Sequence, residues 1–141
     1  MDSKHSVELK IPCKPEYVGV ARLVVLGVAS RMAFSYDDVE DLRLAVGEAC
    51  TSAIERAKIA NAENSQITIQ CTMEQSDKLT IEVADNIPGF DSRGRSTLVG
   101  PNASEEQTIG ALLMEILVDE IRAESLPDRG TTITMVKYAG R

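Results

Sequence analysis

Apolar and polar positions alternate first at Val7, Leu9 and Ile11, and Pro12 ends the pattern, which predicts a strand. Pro15 and Glu16 then open a segment in which Val18, Ala21, Val25, Val28, Ala29 and Met32 recur at helical spacing. Asp37 or Asp38 is expected to cap a second helix, whose stripe is Val39, Leu42, Val46, Ala49, Ala53 and Ala57. Beyond the polar turn at 60–65, Ile67, Ile69 and Cys71 alternate, and so do Leu79, Ile81 and Val83 after a short polar connection. This spacing predicts a hairpin. From Asn86 to Glu105 the pattern lapses into Pro, Gly, Ser and charge, and a loop of that length in a small domain suggests a binding lid or an insert. Helical spacing returns with Ile109, Leu112, Leu113, Ile116 and Leu117, behind a capping-box pair, Ser104 and Gln107. Residues 119–125 and 131–138 flank the turn "LPDRG" and predict a closing hairpin.

The order β-α-α-β-β-loop-α-β-β, with no repeat and no linker, predicts one domain over residues 1–141. The expected class is α+β: a two-layer α/β sandwich, its helices on one face of a mixed, mostly antiparallel sheet. Nothing suggests a Rossmann fold, since there is no G-x-G-x-x-G and no regular β-α-β alternation.

Composition narrows the chemistry. A net charge of −7 argues against a nucleic-acid surface, which needs a basic face. It would suit a basic partner, although solubility alone accounts for it. No apolar run is long enough for a membrane span, and the N-terminus lacks a signal-peptide core, so a soluble cytoplasmic protein is expected. Cys13, Cys50 and Cys71 are too widely spaced for a C-x-x-C metal site or a disulfide framework; Cys50 and Cys71 fall on apolar positions. The single histidine, His5, lies near the terminus, so a Ser-His-Asp or Cys-His group lacks a base.

Two places remain for chemistry. In "GEACTSA" (47–53), Glu48 stands four positions before Ser52, on the same side of a helix. In "VADNIPGFD", Asp85 ends a strand that runs directly into the long loop, and Pro88-Gly89 has the sequence of a type II turn. Each also suits a plainer account. Glu48 would then be a solvated carboxylate, Ser52 a small packing residue and Asp85 a strand terminator.

The stretches "PEYVGVARLVVLGVASRM", "YDDVEDLRLAVGEACTSA", "LLMEILVDEIR" and "TMVKY" together resemble the anti-sigma-B factor family, from about Glu8 to Tyr138. These are bacterial serine-protein kinases of the histidine-kinase-like ATPase fold. The resemblance implies a pocket for ATP and magnesium between helices and sheet, with a lid at about 90–108. It also implies a sigma factor and an anti-anti-sigma protein as partners, phosphorylation of a serine on the latter, and a homodimer. Carried over by position, Glu48 resembles a general base that positions the attacking hydroxyl. Ser52 stands where the family has a magnesium-ligating Asn. Asp85 resembles the residue that reads the adenine amino group. Gly89 matches the last glycine of Asp-x-Gly-x-Gly, whose middle glycine is Ile87 here.

Where the family usually has Gly-Gly-Leu-Gly-Leu at the lid, this chain has Gln107-Thr108-Ile109-Gly110-Ala111, so only Gly110 remains. Glu106 matches a family glutamate, and Arg93 and Arg95 could add compensating charge. Thr132 matches a threonine near the adenine, and Arg22 a partner-contacting arginine on the first helix. Changes in three nucleotide motifs leave three expectations: a slow kinase, a partner-binding module without catalysis, or a regulator that binds nucleotide without phosphotransfer.

Overall fold

The computed structural model describes residues 4–88, 91–99 and 103–140. In chain order it contains β1 (Lys4–Pro12), a single 3-10 turn (Pro15–Tyr17), α1 (Val18–Ala29), α2 (Tyr36–Ile59), β2 (Gln66–Glu74) and β3 (Lys78–Asp85). There follow β4 (Ser92–Arg93), α3 (Arg95–Val99), α4 (Glu105–Leu117), β5 (Glu120–Leu126) and β6 (Gly130–Tyr138). The strands form one sheet in the order β1-β2-β3-β6-β5-β4.

The two-layer α+β architecture is as expected, but the sheet is not mixed: every ladder among the described residues is antiparallel. The reason lies in the connection between β1 and β2. A single crossover helix would return the next strand parallel. Here α1 and α2 come in succession, so the chain re-enters the sheet from the end where β1 finished.

Alternation along the strands separates the two faces. Ile67, Ile69, Cys71, Leu79, Ile81, Val83, Ile133 and Met135 are almost completely buried and face the helices. Burying each large side chain contributes roughly 1.5–3 kcal/mol. Between them stand half-exposed polar residues of the other face, including Thr68, Gln70, Thr80, Glu82, Thr132 and Thr134. The small residues of the α2 stripe (Ala45, Val46, Ala49, Ala53 and Ala57) are also buried, and α2 packs against α1 and α4 as well as β3 and β6.

Helix boundaries follow local chemistry. Ser35, not Asp37 or Asp38, caps α2: its side chain accepts from Asp38 N at 3.1 Å. The two aspartates occupy the first turn, where they favour the positive end of the helix dipole. Helix α1 stops at Ala29, and Met32 lies beyond it in tight turns held by Arg31 N and Met32 N donating to Val28 O and Ala29 O. The expected long loop is shorter than its sequence suggested, because β4 pairs with β5, α3 follows it, and 105–108 form the first turn of α4.

Candidate functional site

Three side chains at intervals of four project from one side of α2: Glu48, Ser52 and Arg56. Their reach decides what they meet. Glu48 is half-buried and leans toward α4, where a Cβ placed on Gly110 would lie 2.8 Å from Glu48 Oε2. Gly110 thus gives the carboxylate room beside the helix. One turn further along α2, Arg56 Nη1 donates to Ser52 Oγ at 2.6 Å.

Arg56 continues to the end of β3. Its Nη2 and Nε donate to Asp85 Oδ2 at 2.8 and 3.2 Å. The Asp85 side chain is 0% exposed and that of Arg56 only 10%. The other oxygen, Asp85 Oδ1, accepts from Ile87 N at 3.0 Å and from Thr131 N at 3.2 Å. Four donors therefore meet a carboxylate that has about four lone-pair sites. The Thr131 bond depends on Gly130, which has φ +88° and sits so close to Asp85 that an added Cβ would be 2.0 Å from Asp85 O.

At the N-terminus of α4 two backbone amides, those of Ser104 and Gln107, are taken by side chains of the helix itself. The expected capping box forms: Gln107 N donates to Ser104 Oγ at 3.1 Å, and Ser104 N donates to Gln107 Oε1 at 2.8 Å. Thr108 Oγ1 donates to Ser104 O at 3.1 Å. Glu105 and Glu106 are exposed in the same turn. Arg93 lies near Glu124 on the neighbouring strand at 3.7 Å, an exposed pair of little energetic weight.

The residues singled out from the sequence are thus placed unequally. Glu48, Ser52, Asp85 and Gly110 gather around the inner faces of α2, β3 and α4. Gly89 lies outside the described residues, as does part of the proposed lid and the side chain of Arg95. Ile87 is fully buried and has no positive φ, so a β-branched residue at this position is unstrained. Thr132 pairs with Ala84 and faces away from Asp85; the threonine on the face of Asp85 is Thr131, whose hydroxyl bonds Ser125 Oγ at 2.7 Å. Arg22 is exposed, and its guanidinium lies over Gly47, where a Cβ would meet Nε and Nη2 at 2.6 Å.

Sequence reasoning missed Arg56 and Thr131. The one available signal for Arg56 was its spacing, four residues beyond Ser52 and eight beyond Glu48.

The nearby thiols add no nucleophile. Burial pushes Cys50 up to about 12, and Cys13 beside it acts in the same direction while Arg22 opposes. Burial, with help from Asp85 and against Arg56, raises Cys13 to about 11. Both remain protonated near neutrality.

A magnesium nucleotide needs a free acceptor for the purine amine, free donors for phosphate and an oxygen for the cation. Asp85 has its lone pairs filled, and in the first turn of α4 the Gln107 amide is capped by Ser104 while Glu105 and Glu106 add negative charge. A dication at Ser52 would lie against the Arg56 guanidinium. At about 4 Å and an effective dielectric of 20, that repulsion is on the order of 8 kcal/mol before Asp85 offsets part of it. As arranged, these residues do not fit magnesium-ATP.

Comparison with known proteins defines the family. The sequence pattern of the histidine kinase-like ATPase domain matches residues 11–137. The serine-protein kinase RsbW of Bacillus licheniformis is 39% identical over 142 residues, covering 96% of this chain and 86% of that protein. The protein of the same name from Bacillus subtilis is 39% identical over 139 residues, with coverage of 94% and 84%. A crystal structure of the RsbU and RsbW domains of a Mycobacterium tuberculosis protein superposes with a TM-score of 0.68 at 15% identity, over 94% of this chain and 32% of that one. That likeness is one of fold. On the extent of the sequence match, the chain belongs to the histidine kinase-like ATPase domain family and, within it, to the family of the serine-protein kinase RsbW, the anti-sigma-B factors.

Proposed function

We propose that this protein is an anti-sigma-type regulator that acts by holding protein partners: a sigma factor in one state and an anti-anti-sigma protein in the other. The reading is supported by a match to serine-protein kinase RsbW that spans nearly the whole chain. It is carried by one observation, the commitment of all Asp85 acceptors to Arg56, Ile87 and Thr131, which leaves binding as the output of the fold. Arg22, exposed on α1 and laid over Gly47, is the proposed partner contact. The working unit is a homodimer in the cytoplasm, where sigma factors act. Among the described residues no helix is long and apolar enough to cross a membrane.

A second reading, ATP-dependent phosphorylation of a serine on the anti-anti-sigma protein, is favoured by the position of Glu48. Its half-buried carboxylate beside Gly110 is suited to orient a hydroxyl at the mouth of the site. The deciding experiment is calorimetric titration of the protein with the sigma factors and anti-anti-sigma proteins of its own cell, without nucleotide. It is followed by incubation with radiolabelled ATP and magnesium. Binding without nucleotide and no label on the partner is expected. Absence of binding to either partner class would sink the regulator reading. Label that disappears in Glu48→Gln would establish the kinase reading instead.

A further inference from the structure

We infer that Arg56 is an occupant of the ligand site supplied by the chain itself. Its guanidinium takes the carboxylate and hydroxyl oxygens that a purine amine and a cation would need, and so ties α2 to the end of β3 without any nucleotide. The inference rests on the proposed function only in taking this site as a nucleotide-type pocket.

The geometry is that of a ligand held by designed partners. A guanidinium is a planar fork of five donors that cannot be deprotonated in a protein. Two of its edges are engaged: Nε and Nη2 with Asp85 Oδ2, and Nη1 with Ser52 Oγ. Backbone amides from two other segments, at Ile87 and Thr131, complete the carboxylate. The group bridges a helix and a strand end separated by 29 residues and is nearly removed from solvent.

Ser52 belongs to the same device. A serine hydroxyl is short enough to accept from Nη1 while Nε and Nη2 stay on Asp85 Oδ2. A larger amide at position 52 would compete for that space. The exchange of one side chain and the presence of Arg56 are therefore linked: the residue that makes a poor cation ligand makes a good arginine partner. Ile87 fits the same account, since its side chain is buried and only its amide faces Asp85.

The test is nucleotide binding by the parent, by Arg56→His, and by Ser52→Asn combined with Arg56→His. Each is titrated with ATP by calorimetry, with and without magnesium, after circular dichroism has established folding. The parent is expected to give no saturable heat. The variants are expected to bind at least about tenfold more tightly than the parent's detection limit, with magnesium dependence strongest in the double variant. Micromolar binding of ATP by the parent would overturn the inference. So would folded variants that bind no better than the parent, because the α4 cap and not Arg56 would then exclude the ligand.

Removing one member of a buried ion pair can also unfold the chain. For a variant unfolded alone, recovery of its circular dichroism on refolding with ATP and magnesium supports the inference, and no recovery overturns it. Partner binding by the parent is measured separately, so loss of the regulator reading and loss of this one give different results.

Discussion

Gly110 and Gly130 both abut functional side chains, yet their replacement by alanine should act in opposite directions. At Gly130 the backbone has φ +88°, and an added Cβ would sit 2.0 Å from the Asp85 carbonyl oxygen. Neither the conformation nor the backbone neighbour can yield cheaply. The left-handed penalty alone is roughly 1–2 kcal/mol, and with the clash Gly130→Ala should lose about 3 kcal/mol or more. At Gly110 the obstacle at 2.8 Å is the flexible end of Glu48. Alanine is favoured over glycine in a helix by about 1 kcal/mol, so Gly110→Ala should be neutral or slightly stabilising while displacing the Glu48 carboxylate. Urea unfolding of the two variants checks this, and equal damage from both would refute the account of Gly110. The same scale shows what a sequence conceals. Glu48 and Ser52 were legible because their spacing is local. Arg56, between Ala53 and Ala57 of the apolar stripe, reads as a solvated charge until Asp85, 29 positions away, is brought beside it. Thr131 and Thr132 are adjacent in sequence, and only the register of β6 against β3 assigns each to its face.

Among the elements, α4 depends most visibly on its ends. Ser104 and Gln107 close its first turn reciprocally, and Lys137 Nζ donates to Leu117 O at 2.9 Å in the last. Ser104→Ala removes the side-chain acceptor for Gln107 N and should cost about 1 kcal/mol. The loss should be local: hydrogen exchange at the first-turn amides of α4 should quicken about fivefold, while amides in β2 and β3 stay unchanged. Uniform acceleration across the sheet would show instead that α4 unfolds only with the whole domain. Elements with a strong period were readable from the sequence: the three long helices, the β2–β3 hairpin and the closing hairpin lie where alternation or helical spacing put them. Strand β4 and helix α3 were not, because two and five residues in a charged, glycine-containing stretch are too short to show a period. The sheet was expected to be mostly antiparallel and is antiparallel in every described ladder, a difference of degree with its own reason. Strand patterns reveal which face is buried, whereas parallel or antiparallel pairing depends on where each connection delivers the chain.

At the level of the whole molecule, three buried thiols make the fold sensitive to alkali. Cys50 and Cys71 are fully buried in the core, and burial is the first cause of their raised values, about 12 and about 11. Cys13, at the end of β1, is raised to about 11, with Asp85 adding to the effect of burial. In the unfolded chain each thiol titrates near its ordinary value of 9.0. Below that value both states hold the proton, and the thiols contribute no pH dependence. Between 9 and 11–12 the unfolded state has released protons that the folded state retains, so stability must fall as pH rises. Each thiol fully inside that window subtracts about 1.4 kcal/mol per pH unit. The urea midpoint should therefore be level, as far as the thiols are concerned, up to about pH 9 and decline steeply above it. The informative comparison is between the parent and Cys50→Ala or Cys71→Ala. Each variant should start lower for lost packing but descend less steeply, by one thiol's share of the slope. Parallel descent in parent and variants would show that ionisation of these thiols does not drive the alkaline transition.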